Sequence, residues 1–210
     1  YFSITGGVVL LFVALAGPEL LIPDRREGVL AIYSSRPLTP DDYIGTRTAS
    51  LLTVVAGFML IPQVLMYIGF AALSPDGFFS ALVDNADEIP KILAVTAVYA
   101  VAFAPLALLV STVASRKAAA TGIYLGVLFV GAGLAAALIE ATSIPGSRYA
   151  ALLSVGDHPN FVREWVFGLT GSGETVMSNA GFDPWVSLVI IAVVAVACSV
   201  FVVWRYRRLM

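Results

Sequence analysis

WVSLVIIAVVAVACSVFVVW occupies residues 185–204, twenty positions without one charged side chain. An α-helix rises about 1.5 Å per residue, so such a run reaches about 30 Å, the thickness of a bilayer's hydrocarbon core. A barrel strand would instead show about ten residues of alternating polarity. The stretch therefore reads as a membrane-spanning helix. Four similar runs precede it, at 2–22, 49–73, 92–114 and 118–139. Of the 210 residues, 59% are hydrophobic and only 12% charged. Water-soluble domains carry about twice that share of charge, so a polar skin facing water on every side is not available. The expected fold class is all-α, a polytopic membrane helix bundle forming one transmembrane domain over 1–210, with the lipid bilayer as its solvent. The first run lacks a basic leader and a small-residue cleavage site, so it reads as a span and not a signal peptide. Because the sequence opens at Tyr1 and not at a methionine, an N-terminal piece is expected ahead of it.

Charge sets the orientation. The connection after the first run holds Arg25, Arg26, Arg36 and Arg47; Arg116 and Lys117 separate the third and fourth; Arg205, Arg207 and Arg208 follow the fifth. The remaining connections are mainly acidic, with Asp76, Asp84, Asp87, Glu88, Asp157, Glu164, Glu174 and Asp183. The positive-inside rule places the basic connections in the cytoplasm and residue 1 outside. The expected location is the plasma membrane, as a multi-pass protein, with a bacterial inner membrane favoured. A net charge of −2 speaks against a nucleic-acid partner.

Pro62 and Pro105 stand mid-span and are expected to bend their helices. Gly122 and Gly126, followed by Gly131 and Gly133, form small-residue positions that let helices approach closely, either inside one subunit or at a homodimer seam. The outer loop, 143–183, is expected to form short helices on or dipping into the outer leaflet. Phe161, Trp165 and Phe167 are expected at headgroup level, and GSGET and SNAG as flexible turns.

Catalytic chemistry finds no foothold. The middles of the spans hold no ionisable residue, and Glu19 and Glu140 stand near span ends; buried charges are the usual mark of a proton relay or ion-driven carrier. No His-Glu-x-x-His pattern, phosphate-binding glycine loop or GxGxxG occurs. His158, between Asp157 and Pro159, reads as an exposed loop residue without metal-binding partners. Cys198 reads as a small packed hydrophobe. No catalytic residue, metal site or cofactor is assigned to this chain. Among polar residues within the spans, Gln63, Tyr67, Thr96 and Tyr99 are candidates to line a translocation path, or else to bond between helices.

The most specific stretch is Pro23-Asp24-Arg25-Arg26-Glu27-Gly28-Val29-Leu30-Ala31-Ile32-Tyr33-Ser34-Ser35-Arg36-Pro37-Leu38. Val29, Leu30, Ile32 and Tyr33 share an apolar side at helical spacing. Asp24 and Glu27 would then stand at the positive end of a short helix, and Pro37 would end it. Thr39, Pro40, Asp41 and Asp42 follow as cap, first-turn proline and first-turn acids of a new helix leading into the second span. The short helix is either an interfacial anchor with its arginines on lipid phosphates or a docking helix for a cytoplasmic partner.

Asp-Arg-Arg-Glu-Gly-x-Leu after a span, then Ser-Arg-Pro-Leu, then Arg47 before the next span resembles the permease subunit of ATP-binding-cassette exporters of the ABC-2 type. The motif covers about residues 19–47, and the layout of spans covers nearly the whole chain. The resemblance implies a cytoplasmic coupling helix within 23–47, with Asp24, Arg25, Arg26, Glu27, Gly28, Val29, Leu30, Tyr33 and Arg36 on a nucleotide-binding ATPase subunit. It implies a second permease protomer, identical or not. ATP and magnesium would be held by the partner, so this chain is expected to be a transport subunit and not an enzyme. It also implies six spans, with these five as the second to sixth, and a re-entrant helical hairpin before the last span. The mostly apolar spans suit a hydrophobic or amphipathic substrate. A membrane anchor or scaffold subunit is the rival reading.

Overall fold

A computed structural model describes residues 2–28, 39–75, 77–140, 146–169 and 175–208. Every regular element among them is helical: α1 (Phe2–Arg26), α2 (Pro40–Ala72), α3 (Phe78–Asp84), α4 (Glu88–Val113), α5 (Lys117–Glu140), a 3-10 helix (Ser147–Leu153), α6 (His158–Val166), α7 (Val176–Asn179) and α8 (Pro184–Tyr206). Five of these, α1, α2, α4, α5 and α8, are long and apolar enough to cross a membrane, and they coincide with the five runs read from the sequence. The protein is thus a multi-pass helical bundle.

The start of α2 follows from its first residues. Asp42 N–H donates to Thr39 Oγ1 at 3.2 Å and Thr39 N–H donates back to Asp42 Oδ2 at 3.3 Å, a reciprocal cap that satisfies two otherwise orphaned donors. Pro40 occupies the first turn, where its missing N–H costs nothing. Pro62 and Pro105 lie inside α2 and α4, and neither ends its helix.

The end of α1 departs from expectation. Pro23 lies inside α1, and the helix continues through Asp24 and Arg25 to Arg26. Glu27 N–H closes the last turn on the Pro23 carbonyl at 2.9 Å. Asp24 therefore stands at the negative end of the first span and not at the positive end of a new helix. The reason is local. Proline removes its own N–H donor, but its carbonyl still accepts, so one more turn forms beyond it.

α4 is the axis of the bundle. In its most apolar stretch 61% of residues are buried, against 22% for α2, 17% for α5 and 22% for α8. It packs against α1, α2, α5, α6 and α8. Small residues make this possible: Ala100, Ala102, Ala104 and Ala107 are buried along it. A Cβ placed on Gly17 of α1 would lie 2.7 Å from the Ala107 Cβ, so only glycine lets these two helices meet. α8 presents Trp185, Val189, Val193, Val196, Val200 and Trp204 outward. Its two tryptophans are separated by about 28 Å along the helix, the spacing of a membrane's two interfacial belts.

One end of the bundle gathers the last turns of α1, α4 and α8 and the first turns of α2 and α5, where the arginines cluster. The opposite end carries α3, the 3-10 helix, α6 and α7. There the expectation of short helices holds. α6 packs against α4 and α8; Phe161 and His158 are buried, Phe167 is half-buried, and only Trp165 of the three aromatics is exposed. Phe161 thus faces protein, because α6 turns the side that holds it, together with Val162 and its polar neighbours, into the bundle. Within SNAG, Ser178 and Asn179 close α7, which Thr175 caps by accepting from Ser178 N–H.

The glycines of α5 divide. A Cβ on Gly131 would lie 2.6 Å from the Leu153 carbonyl oxygen, so this residue admits the 3-10 helix. Gly122, Gly126 and Gly133 have open space where a side chain would go. We expect Gly17→Val to lower the stability of the detergent-solubilised chain by about 1–3 kcal/mol through overpacking, read as a lower thermal midpoint. Gly122→Val should leave the midpoint of the monomer unchanged.

Candidate functional site

Three groups of side chains carry the polar chemistry of the bundle. The first is at the basic end, where Asp24 and Arg25 meet the rest of the fold. The Asp24 carboxylate accepts from Tyr43 Oη at 2.7 Å and pairs with Arg47 of α2. The Arg47 guanidinium also lies 5.4 Å over the Tyr43 ring, and that ring stacks on Tyr206 of α8 at 5.6 Å. Arg25 turns the other way. It donates to the carbonyl oxygens of Ser111 (3.0 Å), Thr112 and Ala114 at the end of α4. The last carbonyls of a helix have no partner within it and carry its negative pole, so a guanidinium is well matched there.

Two neighbouring residues on α1 thus bind two other helices, α2 and α4, and Tyr43 extends the contact to α8. Asp41 and Arg207 join α2 to α8 through a two-point contact, with Nε to Oδ1 at 2.9 Å. Lys117 pairs with Glu19 at 2.5 Å, joining α5 to α1. Of the residues assigned to the coupling segment, Asp24 and Arg25 are engaged inside the bundle. Arg26, Glu27 and Gly28 are exposed, with Gly28 at φ +70°. Val29, Leu30, Tyr33 and Arg36 lie outside the described residues. Tyr43 and Tyr206 were not foreseen as partners; Arg47 stood out in the sequence only as a basic residue before a span.

The second group holds the candidate path residues. Gln63, Thr96 and Tyr99 are buried, and Tyr67 is half-buried. Tyr67 donates to the Leu82 carbonyl of α3 at 2.7 Å, and Tyr99 donates to Asn160 Oδ1 of α6 at 2.5 Å. Both tyrosines are therefore engaged in holding the outer helices. The Gln63 amide and the Thr96 hydroxyl have no hydrogen-bond partner among the described residues. Gln63 continues the inward stripe of Leu51, Val55 and Met59 on α2. An unsatisfied polar group in an apolar interior costs several kcal/mol, so these two positions favour any water or polar solute that reaches them.

The third group lies on and around α6, and the sequence reading did not anticipate it. His158 is fully buried, a correction to its reading as an exposed loop residue. Its Nε2 faces the Leu152 carbonyl at 3.3 Å and its Nδ1 faces Ser187 Oγ at 3.0 Å. A carbonyl can only accept, so Nε2 carries the proton and Nδ1 accepts from the Ser187 hydroxyl. The imidazole thereby joins the 3-10 helix to α8. Asp157 accepts from Val176 N–H at 2.6 Å, and the buried Glu164 accepts from Thr175 Oγ1 at 3.1 Å. Arg163, also buried, has its guanidinium 3.8 Å from Glu164. The sequence signal was the charged run 157–164 itself, which resembled a solvated loop because nothing in its spacing marked the bundle interior.

Burial lowers the His158 pKa below its ordinary 6.5, offset in part by the Leu152 carbonyl. Burial raises that of Asp157, offset by the Val176 amide.

A groove of ≈ 740 Å³ runs between α1 and α5, lined by Phe12, Leu15, Ala16, Ala118, Thr121 and Gly122 and bounded by the Glu19–Lys117 pair. Among the described residues no three His, Cys, Asp or Glu side chains gather as metal ligands. The chain matches no protein-family model, no curated protein and no solved structure.

Arg25→Gln should destabilise the fold by about 2–3 kcal/mol, since it removes charge-assisted bonds to helix-end carbonyls. Arg26→Gln should cost less than about 0.5 kcal/mol. Unfolding by denaturing detergent from bicelles measures both. A pH effect follows from His158. The unfolded chain takes up a proton as pH falls past about 6.5 and the fold resists it, so stability is lost below that value. Asp157 acts oppositely, because the fold takes its proton first. In Asp157→Asn, which removes the opposing carboxylate, the thermal midpoint is therefore expected to fall between about pH 7.5 and 5.5, and to fall less when His158→Gln is added.

Proposed function

We propose that this chain is the permease subunit of an ATP-driven exporter of the ABC-2 type, a transport subunit and not an enzyme. One observation carries the reading. Between the fourth and fifth spans the chain forms short helices, the 3-10 helix packed against α5 and α6 packed against α4 and α8, which agrees with the helical loop that the resemblance implies before the last span. The exposed Arg26, Glu27 and Gly28 at the basic end agree with a connection that reaches a cytoplasmic partner.

In this reading a nucleotide-binding ATPase subunit, holding ATP and magnesium, grips the connection between α1 and α2. Closure of the ATPase pair moves that connection. Asp24 and Arg25 pass the motion to α2 and α4 through the contacts described above. ATP must bind one conformation of the assembly better than the other for any work to be done. The α1–α5 face, with its groove and the open sides of Gly122 and Gly126, receives the second protomer, since small residues permit close helix approach. Gln63 and Thr96 supply the polar points of an otherwise apolar route, which suits a hydrophobic or amphipathic substrate. A sixth span ahead of residue 1 and a plasma-membrane location with the basic end in the cytoplasm complete the proposal.

The test is purification of the affinity-tagged protein with its native partners. A nucleotide-binding subunit should copurify and hydrolyse ATP with magnesium. After reconstitution into vesicles, Glu27→Ala with Gly28→Ala should preserve ATPase activity while transport of a fluorescent lipid is lost. A stable complex without any nucleotide-binding subunit would replace the exporter by a scaffold.

A further inference from the structure

The basic end of α8 carries a feature that the permease reading leaves unused. Ser199, Val200, Val203, Trp204 and Arg207 line an open groove of ≈ 430 Å³. They recur at three- and four-residue intervals, so the groove follows one side of the helix. Its chemistry changes along its length. Valines and a tryptophan line the part within the span, and a guanidinium stands at its end. Arg208 is adjacent, its guanidinium 3.9 Å over the Trp204 ring, and Arg205 occupies the last turn of the same helix. Val200 and Trp204 are both exposed.

We infer that this groove binds an anionic phospholipid, with an acyl chain along Val200, Val203 and Trp204 and the phosphate on Arg207 and Arg208. The charge complements the ligand: Arg207 and Arg208 stand on the groove's side of the helix end and face an anionic headgroup across the interfacial layer that Trp204 marks, with Arg205 adding positive charge in the same turn. The apolar part selects against free phosphate, which has nothing to place there. It also selects against an extended peptide, whose backbone would go unsatisfied at that depth. A zwitterionic lipid brings its own cation toward the arginines and is disfavoured.

The site has a consequence for the fold. Arg207 also holds Asp41 in the first turn of α2. A lipid phosphate and the Asp41 carboxylate share one guanidinium, so anionic lipid modulates the clasp between α2 and α8.

The experiment uses the full chain in nanodiscs of equal parts phosphatidylglycerol and phosphatidylcholine, with retained lipid read by native mass spectrometry. Wild type retains phosphatidylglycerol in preference. Arg207→Gln lowers its retention about five-fold, the effect of one basic residue at an anionic surface. Asp41→Asn breaks the same ion pair from the other side, frees Arg207 and raises retention. Arg116→Gln, at the same end but away from the groove, leaves it unchanged. Equal retention of both lipids overturns the site. So does equal loss in Asp41→Asn and Arg207→Gln, which makes the clasp the cause. So does equal loss in Arg116→Gln, which reduces the effect to diffuse attraction.

Discussion

No hydrogen-bonding solvent exists in the middle of a bilayer, and that single constraint shapes every part of this molecule. Backbone amides and carbonyls must find partners within the chain, so the apolar runs become helices from end to end. Where a helix stops, its unpaired groups must be met by something else. At the start of α2 the answer is Thr39 with Asp42. At the end of α4 it is a side chain from another helix, Arg25, reaching three carbonyls. A local need at one helix end is thereby turned into a tertiary contact.

The same economy operates across the basic end. Asp24 at the close of α1 stands at an unfavourable pole, and Arg47 and Tyr43 of α2 offset it. Tyr43 rests on Tyr206, and Asp41 holds Arg207. The result is a joint in which α1, α2, α4 and α8 meet through side chains of adjacent sequence. The end of α1 is thereby linked to several spans at once, the property that the proposed coupling role requires.

The opposite end is built on another principle. There the chain leaves the spans and folds back, and α6 brings Asp157, His158, Asn160, Arg163 and Glu164 against α4, α7 and α8. Such groups are tolerated in the interior because they are hydrogen-bonded or ion-paired to named neighbours. Tyr99 and Tyr67, which a sequence reading sets among path residues, serve as tethers for α6 and α3. Among the described residues Gln63 and Thr96, like the Tyr124, Ser154 and Tyr206 hydroxyls, are buried without a hydrogen-bond partner, so only part of the polar content of the core is engaged in holding the outer helices.

Length, hydropathy and charge asymmetry by themselves determined that the chain is helical with five runs long and apolar enough to cross a membrane, which connections are basic, and that Thr39 and Pro40 begin a helix. These are properties of short contiguous segments: a run of twenty apolar residues or a capping sequence needs no distant partner to be legible. Tertiary structure alone decided that α1 continues past Pro23 and that Arg25 belongs to α4. It alone decided that His158 and Phe161 are buried, and that Gly131 is spent on packing while Gly122 and Gly126 are not. Each of these depends on which residue of a remote segment stands opposite. In a charged run such as 157–164 the same letters describe a solvated loop or a buried network, and only the packing of α6 against α4 and α8 distinguishes the two.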